Sequence, residues 1–192
     1  MKKESLAQTF SLVLQPSAIA TLLYLVVSFS FATGWRTWVF FLIGLFFVGV
    51  FPILLVLFLT KKGKVSDPDL PNREERFFPY LMICSSYLLA LVIFLLASAP
   101  LPLVAITCCY LGVTFVGALI SLFWKISLHL AGIAGPVTAL VMILNPYWAF
   151  LYLLLVPLGW ARIYLGKHNL YQVVAGSMMS MVITFIIVSS IV

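Results

Sequence analysis

Long apolar runs separated by short polar connections dominate this chain. Each run is about 16 to 24 residues long, close to the length of about 20 residues that a helix needs to cross a bilayer. Since lipid leaves no water for backbone N–H and C=O groups, runs of this length favour helices over the strands of a barrel. The pattern predicts an all-α, polytopic transmembrane bundle of about six to seven helices. The predicted spans are Ser17–Thr33, Thr37–Thr60, Phe78–Ser98, Leu101–Phe123, Leu128–Leu144, Pro146–Ala161 and Leu170–Val192.

Composition supports the same class. Hydrophobic residues make up 64% of the chain, charged residues 8%, and the mean hydropathy is +1.21, which excludes an ordinary soluble domain. We expect a single integral membrane domain over residues 1–192, with its polar motifs within 61–176. The polar start, Met1–Gln8, does not resemble a removable signal peptide, so the first span is expected to stay in the mature protein.

The charged residues are concentrated at three connections. Of 16 charged side chains, 12 lie in Lys61–Arg76, at Lys125 or in Arg162–Lys167. Two predicted spans separate each connection from the next, so all three face one side of the membrane. The positive-inside rule makes that side cytoplasmic. A phosphate site also collects arginine and lysine, so the charge pattern has two explanations.

The first connection has three interpretations. It can be a solvated loop with internal ion pairs. Alternatively, Arg73 and Arg76 share a helix face where they would clamp an anionic headgroup. Asp67 and Asp69 allow a Mg²⁺-diphosphate site. The last is disfavoured because Mg²⁺-dependent prenyl-transfer enzymes present two separate acidic motifs and this chain has one.

The second cluster contains Ser127 and His129. The histidine can be a packed side chain, but it lies at the mouth of the bundle on the same side as the other clusters. Ser127 is expected to cap the following helix and to offer a hydrogen-bond donor to an anion.

The third cluster is the most specific. Arg162 and His168 are six residues apart, about 240° around a helix, so they converge on one ligand only if the chain turns at Gly166. His168 and Gln172 are four apart and would share a helix face, so that the amide oxygen fixes one imidazole nitrogen and leaves the other as a nucleophile. Alternatively, the basic side chains of this cluster extend to the membrane surface and form a charged rim without a binding role.

These spacings resemble a known family. The pattern R-x5-H-x3-Q, formed by Arg162, His168 and Gln172, is similar to the third motif of the type 2 phosphatidic acid phosphatase superfamily, which is written S-R-x5-H-x3-D. Ser127-Leu128-His129 lies where that family has P-S-G-H, and Arg73 to Pro79 lies where it has a basic first motif. The resemblance implies the helical core of that superfamily.

Several residues depart from the family pattern. Ala161 replaces the motif serine, and Ile126 and Leu128 replace the proline and glycine of the second motif. The basic residues of the first motif do not keep the family spacing. Gln172 replaces the aspartate, and a neutral amide orients a histidine without compensating its charge. Assistance worth about 10²–10⁴ in rate would be partly lost.

The resemblance implies a metal-independent phosphatase or diphosphatase that acts on a polyprenyl phosphate or diphosphate, or on a phosphatidate-type lipid. His168 would form a phosphohistidine, with Gln172 orienting it, and His129 would serve as the acid and base. The residues expected to hold the phosphate are Arg162, Arg76, Arg73, Lys64 and Ser127.

No cofactor, metal or nucleic-acid partner is expected, and the partners are the lipid substrate and membrane lipids. The expected location is the bacterial inner membrane, as a multi-pass protein with the site on the cytoplasmic side. A homo-oligomer is left open.

Two other functions compete: a lipid-phosphate-binding protein that has lost turnover, and a small transporter with a basic vestibule. The transporter is disfavoured because no charged residue lies in the middle of a span.

Overall fold

The computed structural model describes residues 2–192, and over that range the chain folds into helices joined by short connections. A single 3₁₀ turn, Arg73–Glu75, precedes the fourth helix, and the seventh begins as 3₁₀ helix over Pro146–Leu154. The eight helices are α1 (Lys2–Val13), α2 (Pro16–Phe31), α3 (Trp35–Lys61), α4 (Phe77–Leu96), α5 (Leu101–Ser121), α6 (Leu128–Ile143), α7 (Pro146–Tyr164) and α8 (Leu170–Ile191).

Each predicted span coincides with a helix, and the bounds agree within about three residues. About six to seven crossings were expected. Five helices are long and apolar enough to cross a membrane, namely α3, α4, α5, α7 and α8. Helices α1 and α2 provide a sixth only as a pair bent by 42°. Helix α6 spans about 24 Å, less than the roughly 30 Å of hydrocarbon. The fold is therefore compatible with a multi-pass membrane protein.

Helix α1 is the element that hydropathy did not predict. It packs against α7, where the rings of Phe10 and Trp160 meet edge to face at 6.5 Å. Leu14, at the break before α2, is buried in a small core with Ile133 and Leu158. Pro16 has no N–H and begins α2, which accounts for the break. Tertiary packing therefore makes a helix of a segment whose composition is mostly polar.

Helix α6 lies in close contact with its neighbours because it carries small residues. A Cβ atom added at Gly132 would lie 2.8 Å from Cβ of Pro16 in α2, and one added at Gly135 would overlap Ser180 of α8. The Ser180 hydroxyl donates to the Ala131 carbonyl at 2.7 Å. The sequence predicted a bend or close packing at this part of the chain, and close packing is found.

The first turns of α8 lie against the chain that leads into α6. The Ser127 N–H donates to the Gln172 carbonyl at 3.1 Å. A Cβ atom at Gly176 would overlap the Ser127 carbonyl oxygen. Since backbone cannot move aside as a flexible side chain can, only glycine permits this approach.

We expect Gly176→Ala to destabilise the protein by about 1–3 kcal/mol, since overpacking against backbone cannot be relieved locally. Thermal unfolding in detergent measures the effect. Gly112→Ala in α5 is the matched control, because its added methyl would meet side chains rather than backbone, Ile187 at 3.2 Å and Ile183 at 3.4 Å. Equal melting temperatures for the two variants would show that the contact at Ser127 does not constrain the fold.

Candidate functional site

The three charged connections meet at one end of the bundle through direct hydrogen bonds. Arg76 Nη1 donates to the Ile126 carbonyl at 3.0 Å, which joins the first connection to the second. The bond from Ser127 N–H to the Gln172 carbonyl joins the second to the third. Arg162 Nη1 donates to Asp69 Oδ2 at 3.2 Å, which joins the third to the first. Each connection therefore contacts the other two.

A cavity of about 430 Å³ begins at this junction, within the range of about 300–1,000 Å³ usual for ligand pockets. Most of its wall is apolar and reaches deep into the bundle. Ile106 of α5 lines it about 22 Å from the end of its helix at Ser121. The charged and imidazole groups are confined to the end near the connections. These are Asp69, Arg76, His129, Arg162 and His168.

Arg162 is the most completely buried charged side chain at the site, with 1% of its surface exposed. Its Nη1 donates to Ser11 Oγ at 2.8 Å and to Asp69 Oδ2. Its Nε has no hydrogen-bond partner among residues 2–192. A buried donor without a partner costs about 1–3 kcal/mol, so the arginine retains bonding capacity for a ligand.

The chain turns sharply between Arg162 and His168. Gly166 has a φ of 65°, and its N–H donates to the Ile163 carbonyl at 3.0 Å. The Lys167 N–H donates to the Arg162 carbonyl at 3.0 Å, which completes a Schellman motif at the end of α7. The His168 N–H donates to the same carbonyl at 3.2 Å. The turn expected at Gly166 therefore brings the imidazole back to the arginine.

His168 contacts Gln172 through a capping box. The Asn169 side chain accepts from the Gln172 N–H at 3.0 Å, and Gln172 Oε1 accepts from the Asn169 N–H at 3.2 Å. The same Oε1 lies 3.1 Å from His168 Nδ1. The predicted contact is present, but its explanation was wrong: His168 precedes the helix rather than sharing a face with Gln172. An amide oxygen accepts only, so Nδ1 carries the proton and Nε2 keeps its lone pair.

The surroundings of His168 favour the neutral imidazole. Burial and the positive charges of Arg162 and Arg76 lower its pKa from 6.5 to about 3, although the bond to Gln172 opposes the shift. At neutral pH the side chain is therefore an uncharged base with one available nitrogen.

Arg76 has both a structural and a potential binding role. It is 3% exposed, and its Nε donates to the Leu70 carbonyl at 2.8 Å in addition to the bond to Ile126. It also lines the cavity, unlike Arg73, which is exposed and pairs with Glu74. The two arginines predicted to act together therefore occupy different environments.

Asp69 belongs to the site, although the sequence suggested it only as a possible Mg²⁺ ligand. Its Oδ2 lies 3.2 Å from Arg162 Nη1 and 3.4 Å from Lys167 Nζ. Burial raises its pKa, but the nearby positive charges, Arg162 foremost, outweigh burial and the net pKa is lowered. Asp67 Oδ1 accepts from the Asp69 N–H at 2.7 Å. Across residues 2–192, no three histidine, cysteine or acidic side chains form a metal-binding group. The pairing of Asp69 with Arg162 could not be predicted from the sequence, because no spacing rule connects residues that lie 93 positions apart.

The remaining predicted residues lie outside the cavity wall. Lys64 is exposed on the loop after α3. Ser127 occupies the N-cap position of α6, but its side chain makes no capping bond, so the predicted cap was wrong. Its buried hydroxyl has no partner within the described chain and lies two residues from His129.

Comparisons of this chain with protein-family models, with curated proteins and with solved structures give no match. The chemistry of the site therefore has to be inferred from its own residues.

The lowered pKa of His168 gives a direct spectroscopic prediction. An ordinary histidine with a pKa near 6.5 is almost fully protonated at pH 5, whereas His168 is expected to stay neutral there, with its proton on Nδ1. ¹⁵N NMR of histidine-labelled protein between pH 7.5 and 5 measures this. The chain has two histidines, so His129→Gln assigns the signals. A titration midpoint near 6.5 for His168 would contradict the described environment.

Proposed function

We propose that this protein is a membrane-embedded, metal-independent lipid phosphatase or diphosphatase that works through a phosphohistidine on His168. The main support is the polar end of the cavity. There the oriented, neutral imidazole of His168 lies together with His129 and the buried Arg76 and Arg162, next to an apolar interior. Phosphoryl transfer depends mainly on positioning and on neutralising the phosphate oxygens, and this set of groups suits both needs.

In the first step, His168 Nε2 attacks phosphorus and the bond to the leaving oxygen breaks. With the anionic substrate bound, His129 takes up a proton from solvent and donates it to that oxygen, which departs as an alcohol or a phosphate. In the second step, His129 takes a proton from water, the hydroxide attacks phosphorus, and the P–N bond breaks to release inorganic phosphate. Both side chains line the same cavity, as this sequence of steps requires.

Arg76 and Arg162 are assigned to the phosphate oxygens. Both are buried and line the cavity, and Arg162 Nε lacks a partner within residues 2–192. Ser127 does not line the cavity, so its buried hydroxyl is not assigned to the phosphate. Arginine presents a planar array of donors that matches phosphate geometry, so few side chains are needed.

The apolar part of the cavity is assigned to the lipid tail. Leu12, Ile53 and Leu57 line it and are also exposed on the outer surface of the bundle, so the cavity reaches that surface beside them. A polyprenyl phosphate or diphosphate, or a phosphatidate-type lipid, has the required charged head and apolar tail. The similarity of Arg162, His168 and their spacing to the third motif of the type 2 phosphatidic acid phosphatase superfamily supports the same reaction.

We also infer that the chain is a multi-pass protein of the bacterial inner membrane with a core like that of the phosphatase superfamily. The positive connections support a cytoplasmic site.

A lipid-phosphate-binding protein without turnover is the second candidate, and Gln172 favours it. The residue that contacts His168 Nδ1 is a neutral amide rather than a carboxylate. It cannot stabilise a positive charge that develops on the imidazole during attack.

Phosphate release from phosphatidate and from polyprenyl diphosphate in detergent tests the proposal. We expect release by the wild-type protein, no effect of a chelator, and a loss of at least 10³-fold in His168→Ala, because the nucleophile is removed. Tyr171→Ala is the control, since that neighbouring side chain is 77% exposed. Binding of both lipids without release would favour the binding protein, and neither binding nor release would refute both.

Replacing Gln172 with glutamate tests the role of the amide. Glutamate has nearly the same shape, so it can accept from both His168 Nδ1 and the Asn169 N–H while adding a negative charge. We expect Gln172→Glu to raise the rate constant for phosphorylation of His168 by about tenfold or more, measured in single-turnover experiments. Gln172→Ala should lower it. A rate that is unchanged in both variants would mean that this contact does not influence the nucleophile.

A further inference from the structure

The cations of the site hold an anion that belongs to the protein itself. The Asp69 carboxylate bonds to Arg162 at 3.2 Å and lies 3.4 Å from the Lys167 ammonium. It lines the same end of the cavity as Arg76 and the two histidines. A ligand phosphate that reaches Arg162 therefore meets a position already occupied by negative charge.

The loop that carries Asp69 is built to place this carboxylate. Its N–H is held by Asp67 Oδ1, and the following residue, Leu70, has a φ of 50°, a conformation that is unfavourable outside glycine. The Leu70 side chain is buried and its carbonyl is bonded by the buried Arg76. These contacts fix the backbone on either side of Asp69, so the position of its side chain does not result from a loosely held loop.

The pair is asymmetric in its burial. The Arg162 side chain is 2% exposed, whereas that of Asp69 is 32% exposed. Arg162 is surrounded by the apolar core, so moving its charge would be costly, whereas the Asp69 carboxylate can turn toward water. A phosphate that binds Arg162 would therefore displace Asp69, and Arg162 would stay in place.

Lipid phosphates differ in how well they can compete with one carboxylate. A phosphodiester headgroup carries a single negative charge, the same as aspartate. A phosphate monoester carries about −1.5 to −2 at neutral pH and has three unsubstituted oxygens. In a membrane the phosphodiesters are in large excess, so a site of bare cations would be filled by them.

We propose that Asp69 is a specificity-determining residue, an internal competitor that admits lipids ending in a phosphate monoester or diphosphate and excludes phosphodiester headgroups. The inference rests on the proposed function, because it concerns the same anion site. Displacement by a suitable ligand frees Arg162, and a phosphodiester leaves the Asp69 ion pairs in place.

Inhibition by a phosphodiester lipid tests the proposal. Phosphate release from phosphatidate is measured in mixed micelles with increasing phosphatidylglycerol. Asp67→Asn is the matched control: it removes the negative charge of the other aspartate in the same loop, and the asparagine oxygen can still accept the Asp69 N–H. We expect wild type and Asp67→Asn to tolerate a tenfold excess of phosphatidylglycerol, and Asp69→Asn to be inhibited at concentrations at least tenfold lower. Equal tolerance in all three proteins would overturn the proposal.

The wild-type protein provides a second test that does not depend on the folding of the Asp69→Asn variant. The chain contains two aspartates, so ¹³C-carboxyl labelling gives two side-chain signals that Asp67→Asn assigns. Phosphatidate is expected to shift the Asp69 signal, and phosphatidylglycerol is expected to leave it unchanged. Binding of phosphatidate without a shift, or equal shifts with both lipids, would refute the internal competitor. A failure of phosphatidate to bind at all would instead count against the proposed function.

Discussion

The buried guanidinium of Arg162 is the constraint on which the polar end of this protein depends. A charge in an apolar bundle has to be paired, because an isolated one would cost many kcal/mol. Its partners come from distant parts of the chain: Ser11 in the first helix and Asp69 in the loop before α4. Pairing this one side chain therefore brings the first helix and the first loop to the end of α7.

The same requirement connects the fold to the chemistry. The Arg162 carbonyl anchors the turn that carries His168, and the guanidinium charge helps to keep that imidazole neutral. Gln172 then fixes the tautomer while it caps α8. The capping role gives a physical reason for an amide at this position that is independent of catalysis. His168 and Arg162 are thus positioned by contacts that also stabilise helix ends.

Hydropathy predicts seven of the eight helices, because runs of 16 to 24 apolar residues leave few alternatives for the backbone. The polar sequence around Arg162 also contains enough information to predict the turn at Gly166 and the contact between His168 and Gln172. The Asn169-x-x-Gln172 capping box was a visible signal that explains this contact better than a shared helix face. Asp69 could not be predicted, since its pairing depends on the three-dimensional path of a loop.

In the proposed reaction, His168 Nε2 is the nucleophile toward a phosphate held by the buried arginines. Orthovanadate mimics the five-coordinate state of phosphoryl transfer, so a structure of the protein with vanadate bound tests this role of His168. We expect vanadium bonded to His168 Nε2, with its oxygens contacting Arg76 and Arg162 and its apical oxygen facing His129. Vanadate bound away from His168, or absent from a cavity that still binds lipid phosphate, would contradict it.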